Sequence, residues 1–143
     1  MRSIHLIGIQ LRGHQLFHLV GEGIPDFLEA HNLALWEQAS DYRSRGVHCV
    51  PVAMLSASPA ICPDALSHFQ GKQVRIFPHA DEAGRRGGQR WADQLHRVVA
   101  KVESFDFTGL RRMNGQPAKD LYDCRDLDPV EYLKDENLWR LLP

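Results

Sequence analysis

Three short apolar runs, each followed by a segment with helical spacing, constrain the fold of this chain more than any other feature. Gln15 to Val20 leads through Gly21-Glu22-Gly23 into a segment opened by Pro25 and Asp26, in which Phe27, Leu28, His31, Leu35 and Trp36 recur at helical spacing. Val47 to Ala53 is β-branched and apolar, and after the Pro63 breaker a short helix is expected over Asp64 to Phe69. Val74 to Phe77 is the third run; behind it Glu82 to about Val99 reads as a helix with Ala83, Trp91, Leu95, Val98 and Val99 on its apolar stripe. Val102 to Phe107 reads as a further strand. Strands separated by helices pair in parallel through right-handed crossovers, so the expected fold is α/β, a mainly parallel sheet with helices on both faces. Ahead of it, Ile4 to Leu11 is joined to Gln15 to Val20 by Arg12-Gly13-His14, which predicts an N-terminal hairpin. A polar loop over Thr108 to Pro117 and short helices over 128–143 close the chain.

With 143 residues, 43% hydrophobic and without internal repeats, the chain is expected to form a single domain, residues 1–143, with its core at about 15–123. A net charge of -1 argues against holding nucleic acid by bulk charge, so any such contact must be local. A local candidate is the stretch Arg85, Arg86, Arg90, Arg97 and Lys101, joined later by Arg111, Arg112 and Lys119; a solvated helix face is its plainer reading. Cys49, Cys62 and Cys124 are odd in number and form no CxxC pair, which fits neither a disulfide framework nor a zinc finger and predicts a reducing, cytoplasmic setting. The run within Met1 to Gln10 is too broken for a signal-peptide core, and no run approaches the roughly 18 apolar residues of a membrane span.

In open α/β sheets, ligands sit outside the carboxyl ends of the strands. Three such ends are acidic: Glu22 with Asp26 one helical turn on, Asp81 with Glu82, and Asp120 with Asp123 by way of a loop. Carboxylates gathered in one place repel one another, and a hard divalent cation removes that cost. Each has a plainer role. Asp26 and Asp81 stand where an acidic residue favours a helix N-terminus, worth about 0.5 to 2 kcal/mol; Asp120 and Asp123 are residue types that form turns. Glu22, between two glycines at a strand end, has no capping role, and the glycines let backbone approach a ligand. Occurrence at successive strand ends favours metal binding.

Here a resemblance becomes specific. Leu19-Val20-Gly21-Glu22-Gly23-Ile24-Pro25-Asp26-Phe27-Leu28 resembles the glutamate motif of the Toprim family. Val74 to Gly84, with His79-Ala80-Asp81 at its centre, resembles that family's apolar strand ending in Asp-x-Asp, a small residue and Gly. Lys119-Asp120-Leu121-Tyr122-Asp123 resembles the Lys-Asp-Leu-Asn-Asp signature of Toprim domains in bacterial, phage and mobile-element DNA primases of the primase-helicase type. The match covers about Gln15 to Asp123, and the motifs occur in the family's order. The resemblance implies a Toprim-like, Rossmann-like fold and metal-dependent nucleotidyl or phosphoryl transfer on nucleic acid in DNA replication. It implies Glu22 and Asp81 as catalytic residues and Glu22, Asp26, His79, Asp81, Asp120 and Asp123 as the metal set for Mg²⁺ or Mn²⁺. Arg85, Arg86, Arg90 and Lys119 would then contact single-stranded DNA template or nucleotides. A helicase, or the remainder of a longer primase chain, is the further partner it implies; no membrane partner is expected.

The sequence departs from the family at two positions: His79 stands for the first aspartate of Asp-x-Asp, and Tyr122 for the asparagine of the late motif. Imidazole is a poor ligand for Mg²⁺ and a better one for Mn²⁺ or softer ions. The chain also lacks the cysteine-rich zinc module and the amino-terminal polymerising subdomain of such primases, and so reads as a fragment of a longer protein. Two alternatives follow: a catalytically degenerate Toprim module that binds nucleotide or single-stranded nucleic acid, and a Toprim nuclease.

Overall fold

The computed structural model describes residues 15–39, 47–57, 59–128 and 130–131. In chain order the elements are β1 (Gln15–Glu22), α1 (Gly23–Ala39), β2 (Val47–Met54), α2 (Pro63–Leu66), β3 (Gln73–Phe77), α3 (Glu82–Leu95) and β4 (Lys101–Ser104), with 3₁₀ turns at Ser67–Phe69 and Tyr122–Asp126. The four strands form one sheet in the order β2-β1-β3-β4. Every pairing is parallel: β1 runs beside β2 with Val20 opposite Val52, and beside β3 with Val20 opposite Ile76; β3 runs beside β4 with Val74 opposite Val102.

Strand periodicity explains how both faces are covered. Successive side chains of a strand point to opposite faces, so Leu19 joins the layer containing Ala30, Phe77, Phe107, Leu121 and Leu127, whereas Val20 joins the layer of Val52, Phe69, Ile76, Trp91 and Leu95. The first layer is closed by α1 and the chain beyond β4, the second by α2 and α3. The expected parallel α/β fold is present, and no helix among the described residues is long and apolar enough to cross a membrane.

Some boundaries differ from the sequence reading. α1 starts at Gly23, whose φ of 84° makes the turn out of β1, and not at Pro25. β4 ends at Ser104; the Phe105 amide still donates to the Ile76 carbonyl at 2.8 Å, and beyond it Phe105 and Phe107 pack together in the first core layer, their ring centroids 4.8 Å apart. α3 ends at Leu95, and Val98 and Val99 keep their apolar role as a turn packed on the second layer. The hairpin strand Ile4 to Leu11 lies outside the described residues, as does most of the C-terminal helical segment.

Topology fixes where a site can form. From β1 the chain crosses to β2 on one side and then returns to β3 on the other, so β1 and β3 flank the point at which the winding reverses. A crevice forms outside the carboxyl ends of two such strands. Glu22 is the last residue of β1, and His79 lies two residues beyond β3.

Candidate metal centre at the carboxyl edge of the sheet

Asp26 is the hub of this crevice. Gly21 makes its position possible, since a Cβ there would stand only 2.7 Å from Asp26 Cβ. The carboxylate turns back from the first turn of α1 and is almost wholly buried, 1% exposed. Its Oδ2 accepts from the Glu22 amide at 3.3 Å and lies 3.2 Å from His79 Nε2, and its Oδ1 accepts from the Tyr122 amide at 3.1 Å. One side chain thus ties the end of β1, the end of β3 and the 3₁₀ turn at Tyr122–Asp126. The chain leading into that turn is also held to the segment after β3, because the Ala80 amide donates to the Lys119 carbonyl at 2.7 Å.

Asp120 enters from that third segment, its Oδ1 accepting from the Asp123 amide at 2.8 Å. Asp26, His79 and Asp120 each offer one ligand atom, all within 4.8 Å of one another. Glu22 borders the group, with Oε2 3.8 Å from His79 Nδ1. Its Oε1 accepts from the Ala57 amide at 2.9 Å, while Oε2 is buried and has no hydrogen-bond partner among the described residues.

The charges follow from this geometry. The hydrogen bond to Asp26, with the nearby charges of Asp26, Glu22 and Asp120, raises the His79 pKa to about 9 against an opposing effect of burial. Burial, with help from Asp26 and Asp123, raises the Asp120 carboxyl above its usual range. At neutral pH the imidazole is therefore a cation among carboxylates, and it neutralises part of the charge that a metal would otherwise neutralise.

The residues present fit a divalent cation. Glu22 Oε2 is a buried acceptor with no hydrogen bond among the described residues, faced only by His79 Nδ1 at 3.8 Å, and the carboxylates supply the oxygen set that hard cations take. As a ligand, the imidazole nitrogen would shift the preference from Mg²⁺ toward Mn²⁺, and it would have to release its proton first.

Other expected site residues have partners outside the group of three. Asp81 is exposed and caps α3, its Oδ1 accepting from the Gly84 amide at 2.7 Å. Asp123 accepts from the Lys119 amide at 3.0 Å and pairs with Arg112 at 3.0 Å. Neither belongs to the group of three. On α3, Arg85 donates to the Ala80 carbonyl at 2.8 Å and Arg90 to the Ala57 carbonyl at 3.0 Å, whereas Arg86 pairs with Glu82 at 3.2 Å. Lys119 is exposed.

A clamp around Ala57 escaped the sequence reading. Gln94 holds both backbone groups of Ile61, its Oε1 accepting at 2.9 Å and its Nε2 donating at 3.0 Å, and Trp91 Nε1 donates to the Pro59 carbonyl at 2.9 Å. α3 thereby fixes the loop after β2, whose Ala57 amide orients Glu22. No local pattern signals contacts across some 33 residues of chain.

No family model matches the chain, and neither does any curated protein or solved structure.

Proposed function

We propose that the chain is a Toprim-like domain of a DNA primase-like protein, performing metal-dependent nucleotidyl or phosphoryl transfer on nucleic acid. One observation supports this reading: Glu22, Asp26, His79 and Asp120, drawn from three motifs far apart in sequence, meet at the reversal point of the sheet, where the buried Glu22 Oε2 has no hydrogen bond among the described residues. In this reading Asp26, His79 and Asp120 hold Mn²⁺ or Mg²⁺, with Glu22 Oε2 as a further ligand or as the base for an attacking hydroxyl. A bound cation would supply charge stabilisation for phosphate oxygens and the leaving pyrophosphate. Asp81 would act from the rim of the crevice, and Asp123 would hold the Lys119–Asp120 turn. Arg85, Arg86, Arg90 and Lys119 would contact phosphates, with single-stranded template, nucleotides and a helicase or the rest of a longer primase chain as partners in the cytoplasm.

Extension of a labelled nucleotide on a single-stranded template with Mn²⁺ or Mg²⁺ tests the reading. Wild type should incorporate nucleotide, and Glu22→Gln should lose at least 100-fold. Incorporation equal in the two proteins would remove Glu22 from the chemistry and sink the proposal.

A second reading is a degenerate module that binds nucleotide or single-stranded nucleic acid without reaction. The His79 imidazolium favours it, because a cation built into the cluster stabilises the carboxylates without metal. Template binding that is indifferent to chelator, together with no incorporation, would select this reading.

A further inference from the structure

Glu22 depends on other elements for its orientation. It ends β1 between Gly21 and Gly23, so neither neighbour offers a side chain to pack against it, and a glutamate has several rotatable bonds to fix. One hydrogen bond sets which oxygen faces the crevice: Oε1 accepts from the Ala57 amide at 2.9 Å, which leaves Oε2 on the side of His79. Ala57 itself stands in the loop beyond the last β1–β2 pair, Glu22 with Met54, where the ladder no longer holds the chain.

The place of Ala57 is set from α3. Gly87, Arg90, Trp91 and Gln94 recur at helical spacing and so share one face of that helix. All four meet the loop after β2. Gly87 lets the helix backbone close on it, since a Cβ there would stand only 2.7 Å from the Ala57 carbonyl oxygen. Arg90 Nη1 donates to that same oxygen at 3.0 Å. Trp91 and Gln94 hold Pro59 and Ile61 farther along. Arg85 and Arg86 of the same helix bond instead to Ala80, just ahead of it, and to Glu82 within it.

We infer that Arg90 is a positioning residue for Glu22: by holding the Ala57 carbonyl it fixes the Ala57 amide, and through that amide it keeps Glu22 Oε2 turned to the crevice. A charged donor suits the role, because hydrogen bonds from ionised groups are the stronger kind. A guanidinium carries several N–H donors, so this bond is compatible with the phosphate contact proposed above. The inference rests on the transfer reading only where Glu22 is taken to act on substrate; the positioning exists without metal or substrate.

NMR of the metal-free protein reads the positioning apart from any reaction. Wild type should show a scalar coupling across the hydrogen bond, from the Ala57 amide nitrogen to the Glu22 carboxyl carbon. Arg90→Ala should lose that coupling and exchange the Ala57 amide at least tenfold faster, while the Ile61 amide, bonded to Gln94, keeps its rate. Arg90→Lys, which keeps a donor on a long stem, should recover both. In nucleotide incorporation Arg90→Ala should lower kcat at least fivefold, with any lost phosphate contact appearing in KM, and Arg90→Lys should restore kcat. Wild type without the coupling, Arg90→Ala with coupling and exchange unchanged, or an unchanged kcat would each overturn the inference. Coupling that is lost in Arg90→Ala, when wild type incorporates no nucleotide, would overturn the transfer reading alone and leave the positioning role standing.

Discussion

His79 Nε2 lies 3.2 Å from Asp26 Oδ2, across 53 residues of sequence, and this one contact joins the end of β3 to the first turn of α1. It also decides the charge of the site. With His79 charged at neutral pH, the cluster carries its own counter-ion, and any metal ion must compete with a proton.

Asp26→Asn tests that charge. The amide retains an acceptor oxygen but removes the negative charge, so the His79 pKa should fall from about 9 toward the ordinary 6.5. An NMR titration of the imidazole reads this directly; a pKa still near 9 would assign the elevation to Glu22 and Asp120 instead. Asp26→Ala should cost about 3 to 5 kcal/mol in chemical denaturation, because it leaves the Glu22 and Tyr122 amides and the imidazolium without their buried partner.

His79→Asp exchanges the built-in cation for a further carboxylate. Without metal the variant should melt below wild type, since like charges then face one another across the crevice. Mg²⁺ should bind it at least tenfold more tightly than wild type, about 1.4 kcal/mol, and should restore the lost stability. An unchanged Mg²⁺ affinity would show that His79 does not stand at the metal position.

Two histidines set opposite edges to the stability profile. His18 is buried, chiefly desolvated by that burial, and its pKa is lowered to about 4. Above pH 6.5 both folded and unfolded states leave it neutral; below, the unfolded state gains the proton first. Its contribution, on the order of 3 kcal/mol, is therefore lost as pH falls from about 6.5 through about 4. The raised His79 works the other way: its contribution is complete below pH 6.5 and is lost as pH rises through about 9. Urea denaturation across pH should show both flanks, and His18→Leu should flatten the acid flank alone.

The parallel α/β architecture was legible in the sequence because apolar runs alternate with helical segments, and Glu22 stood out as a glutamate with no capping role; the strand order itself was not. The role of Asp26 was half legible. Its place in a first helical turn pointed to capping, and only the close approach allowed by Gly21 turns it inward to bind three separate segments. Asp81 shows the converse, an acidic residue at a motif position whose observed bond is that of a helix cap. The Gln94 clamp on Ile61 was invisible, since side chain to backbone pairing over 33 residues has no periodicity.

Gly21→Ala probes that close approach. The added methyl would stand 2.7 Å from Asp26 Cβ, so β1 and α1 must separate. A loss of about 1 to 3 kcal/mol in stability is expected, accompanied by a lower His79 pKa as the Asp26 contact lengthens. A variant as stable as wild type, with its imidazole titration unmoved, would show that the crevice is looser than this packing implies.

The most direct test of the metal centre is calorimetric titration of folded protein with Mn²⁺ and Mg²⁺ in buffers of different ionisation heat, on wild type and Asp120→Asn. One Mn²⁺ should bind per chain, more tightly than Mg²⁺, with release of close to one proton near pH 7.5 as His79 deprotonates. Asp120→Asn should weaken Mn²⁺ at least tenfold. Absence of binding by either ion to wild type, or binding with no proton release and no loss in Asp120→Asn, would contradict a metal centre at Asp26, His79 and Asp120.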